Sequence, residues 1–173
     1  RKLAEKHPES HIDIGSHHYF ATLVSAFIPF EFYDYRPLDL TLSNLSLGSA
    51  DLVNLWFPDS SIYSLSCMHV VEHIGLGRYG DPIDPDGDIK AMNELIRVLA
   101  PDGILYFVVP VGKPRICFNA HRIYSPTWIK DFFGNKGLRL EDFAIVTDEG
   151  NFLYNQLPEN FTNQSYACGC FEF

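Results

Sequence analysis

The sequence has 173 residues, of which 46% are apolar, enough for one substantial hydrophobic core but hardly for two. Asp and Glu outnumber Lys and Arg by 22 to 13, and the formal net charge is -9. Such a charge repels a phosphate backbone, and no apolar run approaches the length of a membrane span. We therefore expect a single domain over residues 1–173, with neither nucleic acid nor a membrane as partner.

The cysteines are few for this length, and they are Cys67, Cys117, Cys168 and Cys170. Cys67 lies inside an apolar run, so a disulfide scaffold is not indicated and a cytoplasmic location is expected. Asn-x-Ser/Thr tripeptides also occur, but no apolar leader accompanies them. The chain begins at Arg1 rather than Met, which is compatible with an excised domain.

The N-terminal part begins with a short helix over Leu3 to Lys6 and continues as strand, tight turn and helix. A strand is predicted from His11 to Ile14, with Gly15 in the turn and Ser16 as helix N-cap. One apolar face of the helix is predicted from the spacing of Phe20, Leu23, Val24 and Phe27. This order is typical of the first half of a nucleotide-binding sheet.

A second strand is predicted over Phe30 to Tyr35, and it places Asp34 about twenty residues after the Gly15 turn. At that spacing a carboxylate at a strand end can bind two ribose hydroxyls, although a solvated carboxylate in a turn fits equally well. Only an abbreviated crossover helix fits before a third short strand near Leu45 to Leu47.

Ile62 to Met68 is predicted as a buried central strand, because continuous apolar character suits a parallel sheet covered on both faces. The strand runs into HVVEH, which also fits an inverted zinc-protease pattern. Paired histidines four residues apart need a helix to share one face, whereas His69 ends a strand and Gly75 leaves barely one turn. A metal site is therefore not predicted.

The acidic segment Gly80 to Asp88 resembles the start of a calcium loop, but Ile89 stands where that loop needs glycine. A solvated turn with Asp88 as N-cap of the next helix is preferred. The remaining predictions are a helix with an apolar stripe from Ile89 to Leu99, a strand over Ile104 to Pro110, a polar loop over Gly112 to Ser125, a helix over Pro126 to Phe133, and final strands over Leu138 to Thr147 and Gln164 to Phe173.

Several segments resemble, in order, the motifs of class I S-adenosylmethionine-dependent methyltransferases. They are DIGS at Asp13 to Ser16, FYDY at Phe32 to Tyr35, SADLVNLWFPDSS at Ser49 to Ser61, HVVEHI at His69 to Ile74, and MNELIRVLAPDGILYFVVP at Met92 to Pro110. The sequence is most similar to the small-molecule, methyltransferase type 11-like branch, and it resembles an uncharacterised methyltransferase-like subfamily of unknown function. The resemblance implies a Rossmann-like, doubly wound α/β fold. Its sheet would be mostly parallel and seven-stranded with an antiparallel edge strand, in a three-layer sandwich.

The resemblance also implies S-adenosylmethionine as cofactor and a small molecule as substrate. The methionine part of the cofactor would lie against the first turn, while Asp34 would bind the ribose and Asp51 the adenine amine. The residues implied to contact the cofactor are Asp13, Gly15, Ser16, His17, Asp34, Asp51, Leu52, Ser66 and Met68. Histidine is an apt base near neutral pH, so His69 is the first catalytic candidate and His121 the second. Arg115 and Arg122, together with several tyrosines, suit a hydroxylated, sugar-like or carboxylated acceptor.

The first motif departs from the family's usual glycine-rich pattern, because His17 and Tyr19 occupy two of the glycine positions. A side chain there either crowds the carboxypropyl group of the cofactor or, as His17, hydrogen bonds its carboxylate. The same departure supports the alternative of a catalytically inactive binding or scaffold domain. A nicotinamide dehydrogenase is disfavoured, since the three-glycine turn is absent.

Overall fold

The computed structural model describes residues 1–37 and 39–173. Its strands, in chain order, are β1 (His11–Ile14), β2 (Phe30–Asp34), β3 (Leu45–Ser49), β4 (Ile62–Met68), β5 (Leu99–Val111), β6 (Arg115–Cys117), β7 (His121–Ile123), β8 (Asp142–Val146), β9 (Phe152–Leu153) and β10 (Ala167–Glu172). The α-helices are α1 (Lys2–Lys6), α2 (His18–Val24), α3 (Gly87–Val98) and α4 (Pro126–Gly134), and short 3₁₀ turns occur at Val71–His73 and Pro158–Phe161.

One large sheet has the strand order β3-β2-β1-β4-β5-β10-β8-β9. Its first five strands are parallel, whereas β10 runs antiparallel to both β5 and β8. The short β9 adds a hairpin to β8, and β6 pairs with β7 outside the sheet. The predicted Rossmann-like, mostly parallel fold is confirmed. Within the described residues, β9 extends the predicted seven strands to eight.

Helices cover the sheet on both faces. The larger apolar cluster joins α3 and α4 to the central strands, with Leu95 and Phe133 packed around Leu65 and Phe107. On the opposite face, Ala21 of α2 packs in a smaller cluster with two aromatic residues of β2. Alternate residues of a strand point to opposite faces, so each central strand contributes to both sides. The predicted three-layer arrangement is therefore confirmed.

The predicted apolar face of α2 is confirmed for Phe20 and Val24, which pack against the buried cluster of α2 and β2, and is wrong for Leu23 and Phe27. Leu23 and Phe27 are 69% and 80% exposed, and only Ala21 of this helix is fully buried. The helix ends at Val24, so Phe27 lies beyond it and has no neighbouring turn with which to form a stripe. Apolar spacing alone cannot reveal where a helix stops, and this one ends before Phe27 can join the face that Phe20 and Val24 form.

Two further local predictions are wrong. Helix α3 begins at Gly87, and Asp88 lies inside its first turn, where it accepts a hydrogen bond from the Tyr124 hydroxyl instead of capping the helix. The segment predicted as one polar loop contains the β6–β7 hairpin. The strand over β4 and the helix α4 agree with prediction, because both combine a strong apolar pattern with clear end signals.

The described residues between β2 and β3 form bends and turns without a helix, so the abbreviated crossover helix predicted there is not observed; Leu38 lies outside the described residues. Of the helices described, none has the length and apolar character needed to cross a bilayer.

Candidate functional site

A cavity of about 360 Å³ lies at the carboxyl ends of the parallel strands. Strand order reverses between β1 and β4, and ligands of open α/β sheets bind in the crevice at such a switch point. The wall includes Gly15 after β1, Asp34 at the end of β2, Asp51 and Leu52 after β3, and His69 after β4. The volume lies in the range of about 300–1,000 Å³ typical of small-molecule sites.

A second cavity, of about 610 Å³, adjoins the first. Gly15, Asp34 and His69 line both cavities. The remaining wall of the second includes Ser16, His17, Met68 and Cys170. A ligand that occupied both cavities would therefore pass these shared residues.

Gly15 forms the turn between β1 and α2 with a φ of 72°, a conformation that residues with side chains rarely adopt. A Cβ atom there would lie 3.0 Å from Val70 Cγ1 and 3.2 Å from Val70 Cγ2. The Gly15 backbone N–H donates to the Tyr33 carbonyl, which ties the turn to β2. The missing side chain thus lets this backbone approach both the neighbouring turn and a ligand.

We expect Gly15→Ala to lower the free energy of unfolding by about 1–2 kcal/mol, because alanine is strained in the left-handed backbone conformation and its Cβ atom crowds the Val70 side chain. Gly134→Ala is the matched control, since a Cβ at Gly134 meets no atom within 4 Å and the backbone there is helical. The control should be neutral or slightly stabilising. Urea denaturation of both variants checks the difference, and equal midpoints would contradict the assigned strain.

Asp34 and Asp51 are held by their own backbone turns. Asp34 Oδ1 accepts from the Arg36 backbone N–H at 2.8 Å, and Asp51 Oδ1 accepts from the Val53 N–H at 3.1 Å. Among the described residues, the second oxygen of each carboxylate has no hydrogen-bond partner and remains available to a ligand hydroxyl or amine. Both side chains line the first cavity, and their contact with a cofactor stays a prediction.

Asp13 and Ser66 lie beneath the turn, outside both cavity walls. His11 is fully buried, with Nδ1 2.7 Å from the Ser64 hydroxyl and Nε2 2.8 Å from the Ser66 hydroxyl. Ser66 in turn donates to the Asp13 carboxylate. Burial lowers the pKa of His11 to about 3 and raises that of Asp13 to about 6. Contact of Asp13 or Ser66 with a cofactor stays a prediction, and in this structure both support the turn.

Ser16 and His17 connect that buried network to the second cavity. The Ser16 hydroxyl donates to Asp13 and accepts from the Met68 backbone N–H at 2.9 Å, so it is not available as the predicted N-cap of α2. His17 caps the helix instead, accepting from the Tyr19 backbone N–H through Nδ1 at 3.3 Å. A neutral His17 ring must then carry its proton on Nε2, which leaves a donor for an anionic ligand group.

His69 lies directly after β4 with a left-handed φ of 58°. Its Nε2 is 3.3 Å from Cys168 Sγ, and its Nδ1 is 3.1 Å from Glu72 Oε1. The hydrogen bond to Cys168, then that to Glu72, raises the pKa of His69 to about 10. His69 is therefore protonated near neutral pH, and in this state it donates hydrogen bonds rather than accepting a proton.

His73 and His121 differ in their surroundings. His73 donates from Nδ1 to the Ala120 carbonyl at 2.6 Å, and it lines the first cavity. His121 belongs to neither cavity wall; its ring centroid lies 5.0 Å from that of Tyr166. Burial, together with the nearby His73, lowers the pKa of His121, so this ring is neutral at neutral pH. Its catalytic role stays a prediction.

Arg122, expected to suit an acceptor, is instead buried. Its guanidinium donates to the carbonyls of Ile74 and Pro85 at 2.6 and 3.3 Å, and it lies 3.4 Å from the Asp88 carboxylate. These contacts fix the chain segment between Ile74 and Gly87, both of which line the first cavity. The sequence could not show this, because a basic residue near a loop is usually exposed.

Sequence reasoning also missed Cys168 and Cys170 as neighbours of His69. Both cysteines lie on β10, and Cys168 is 99 positions from His69 in the sequence. Only the order of the strands in the sheet brings the cysteines close to His69. The available signal was the spacing of the two cysteines, since residues two apart on a strand share a face.

A family model described as "Caenorhabditis protein of unknown function, DUF268" matches residues 43–135, more than half of the 173 residues. The chain belongs to this family. The match includes Asp51, His69 and His121, and it ends at Asn135, the C-cap residue of α4. No curated protein sequence matches this DUF268 chain.

Solved structures share the fold of the DUF268 chain at low sequence identity. The 1,6-didemethyltoxoflavin-N1-methyltransferase of Burkholderia thailandensis, solved with 1,6-didemethyltoxoflavin and S-adenosylhomocysteine, has a TM-score of 0.64 at 12% identity, over 98% of this chain and 73% of that one. A SAM-dependent methyltransferase of Methanosarcina mazei has a TM-score of 0.62 at 12% identity, over 99% and 96%. The cyclase SpnF has a TM-score of 0.58 at 16% identity, over 82% and 56%. The DUF268 chain thus has a methyltransferase-like fold, and identities this low establish the fold alone.

Proposed function

We propose that this protein is an S-adenosylmethionine-dependent methyltransferase that acts on a small, hydroxylated or sugar-like acceptor. The observation that carries the proposal is the convergence of Gly15, Asp34 and Asp51 on one cavity at the switch point of the sheet. Carboxylates after two neighbouring parallel strands, beside a glycine turn, match the hydroxyls and amine of an adenosine. The bound S-adenosylhomocysteine of the Burkholderia thailandensis neighbour supports the same ligand class.

The cavity residues fit such a cofactor chemically. Asp34 would accept from the ribose hydroxyls and Asp51 from the adenine amine, while the Leu52 backbone would contact the ring. The wall also carries Asp81 and Asp84, of which Asp84 is paired with Lys90, and Arg36 lies in the same wall. When bound, the cofactor would supply an activated sulfonium methyl group.

The methionine part would extend into the second cavity, past Gly15. There His17 offers an Nε2–H donor that suits a carboxylate, while Met68 and Ser16 complete the wall. This use of His17 favours hydrogen bonding over crowding as the consequence of the altered glycine motif. The acceptor would then reach the methyl group near His69, which lines both cavities.

The residues of this chain would contribute position and proton placement. Protonated His69, whose two N–H groups are directed at Cys168 and Glu72, would stabilise negative charge that develops on an acceptor oxygen through its own positive charge. The neutral His121, outside both cavity walls, would accept the proton that a hydroxyl loses through a bridging water. Glu72 holds the His69 ring through Nδ1. Alignment of the acceptor, with little covalent chemistry by the protein, is what methyl transfer from a sulfonium requires.

A catalytically inactive binding or scaffold domain is the second candidate. His17 and Tyr19 at glycine positions favour it, and so does the cyclase SpnF, whose name shows that this fold is not restricted to methyl transfer. In that case the cavity would bind a ligand without turnover, or would bind none.

Calorimetric titration with S-adenosylhomocysteine tests the proposal directly. We expect saturable binding well below millimolar ligand, and competition by S-adenosylmethionine. A millimolar dissociation constant corresponds to only about 4 kcal/mol, which a cavity with paired carboxylates should exceed. Absence of heat at millimolar ligand would eliminate the methyltransferase proposal. Binding without methyl transfer to any of a panel of hydroxylated acceptors would favour the inactive domain.

A further inference from the structure

The third strand from the edge, β10, places two thiols against His69. Cys168 and Cys170 lie on the same strand face, separated by Gly169, with their sulfur atoms 4.0 Å apart. Cys168 Sγ is also 3.3 Å from His69 Nε2. The described residues hold no group of three or more histidine, cysteine or acidic side chains arranged for a metal ion. The geometry is therefore that of a paired thiol beside a histidine.

Glu72 is the buried acidic member of this cluster. Its side chain is 2% exposed, and one carboxylate oxygen contacts His69 Nδ1 while the other, Oε2, has no hydrogen-bond partner in the described structure. A buried carboxylate with an unpaired oxygen is costly unless a positive charge compensates it, and protonated His69 supplies that charge. The carboxylate thus fixes the imidazole with Nε2–H directed at Cys168.

The electrostatics distinguish the two thiols. Hydrogen bonds from Cys170 and His69 lower the pKa of Cys168 to about 5, whereas the neighbouring Cys168 and burial raise the pKa of Cys170. Cys168 is then a thiolate at neutral pH and Cys170 a neutral thiol. Cys67 is fully buried, and burial raises its pKa well above the usual value. Such asymmetry is what a nucleophilic and a resolving cysteine require.

We propose that Cys168 and Cys170 form a hydroperoxide-sensitive dithiol, in which Cys168, held by His69 and Glu72, is oxidised first and Cys170 closes the disulfide. This site shares His69 with the cavity proposed for methyl transfer, but the dithiol chemistry does not depend on the proposed function.

In the first step the Cys168 thiolate attacks one oxygen of hydrogen peroxide. An S–O bond forms, the O–O bond breaks, and the leaving oxygen takes the proton of His69 Nε2 to depart as water. The sulfur is oxidised to a sulfenic acid, and the peroxide is reduced. In the second step the Cys170 sulfur attacks the Cys168 sulfur: an S–S bond forms, the S–O bond breaks, and the thiol proton leaves with hydroxide as a second water.

Closure of the disulfide is sterically feasible. Two positions along a strand span about 6.6 Å between Cα atoms, within the upper range of about 4.4–6.8 Å for disulfides. The sulfur atoms must approach from 4.0 Å to bonding distance, which side-chain rotation can provide. Oxidation would remove the thiolate that stabilises the charge of His69. Because Cys170 and His69 both line the second cavity, the modification would change the charge of that wall.

The test treats the reduced wild-type protein with one equivalent of hydrogen peroxide at pH 6, followed by alkylation and peptide mass spectrometry. An ordinary thiol is only about 0.3% thiolate at this pH, while Cys168 is mostly ionised. The lower nucleophilicity of an acidic thiol offsets part of this advantage. We expect Cys168 and Cys170 to be consumed at least about tenfold faster than Cys117, giving a peptide lighter by two hydrogen atoms.

Variants separate the two roles. In Cys170→Ser a sulfenic acid should persist at Cys168 and be captured by dimedone, whereas in Cys168→Ser no capture should occur at position 170. His69→Gln should abolish the preference for Cys168, and His7→Gln, at an exposed histidine, should leave it unchanged. Oxidation of Cys117 at the same rate, first capture at Cys170, or one tightly bound zinc ion per chain that masks both thiols would each overturn the proposal.

Discussion

Asp34→Asn is expected to weaken binding of S-adenosylhomocysteine by roughly 10- to 100-fold. The side chain lies at the end of β2 and lines both cavities, with Oδ1 committed to the Arg36 backbone N–H. A hydrogen bond to a charged group contributes about 1.5–3 kcal/mol. Asparagine removes the negative charge and replaces one acceptor oxygen of the carboxylate with an NH2 group, which can only donate. Isothermal titration of the two proteins measures the change.

Asp131→Asn is the matched control for that measurement, since Asp131 lies on the exposed surface of α4 and belongs to neither cavity wall. Its affinity should equal that of the wild type. If Asp34→Asn bound S-adenosylhomocysteine as tightly as the control, the ribose assignment would be wrong even though the fold stands.

Arg122→Leu is expected to lower the free energy of unfolding by about 3–5 kcal/mol, because it leaves the buried Asp88 carboxylate without its cation. The substitution also removes the hydrogen bonds that the guanidinium donates to the carbonyls of Ile74 and Pro85. Those residues belong to the segment that walls the first cavity, so ligand affinity should fall together with stability. Chemical denaturation gives the unfolding free energy.

The control is Arg139→Leu, at a side chain that is 84% exposed, where we expect a change within about 0.5 kcal/mol. The double variant Asp88→Leu with Arg122→Leu should recover part of the loss, because an apolar pair no longer leaves a buried charge uncompensated. Equal stability of Arg122→Leu and the Arg139 control would show that the buried pair does not support this cavity wall.

The segment from Ile62 to His73 illustrates how site and fold depend on each other. The strand β4 is fixed by its apolar run, and its end delivers His69 to the point where the two cavities meet. A left-handed backbone at His69 costs free energy that its bonds to Glu72 and Cys168 offset. The position of His69 therefore relies on Glu72, three residues further on, and on Cys168 from the distant strand β10.

The sequence by itself determined the parallel strands of the large sheet and several residues that line the first cavity. Continuous apolar runs predicted β4 and β5, because strands covered on both faces need apolar side chains throughout. Spacing from the Gly15 turn predicted Asp34 at a strand end, and parallel strands bring such ends to one edge. These features follow from local pattern and from the handedness rules of α/β sheets.

Only the tertiary structure decided which polar groups are buried and which meet. Leu23 and Phe27 have helical spacing but lie exposed, because α2 ends at Val24 and, among the described residues, the buried cluster on this side of the sheet is contacted by Phe20 and Val24 instead. Asp13 points beneath the turn, toward Ser66, since strand pairing rather than sequence determines which face it occupies. Cys168 meets His69 because β10 inserts beside β5, and a contact between residues 99 apart is a property of strand order, which no local pattern encodes.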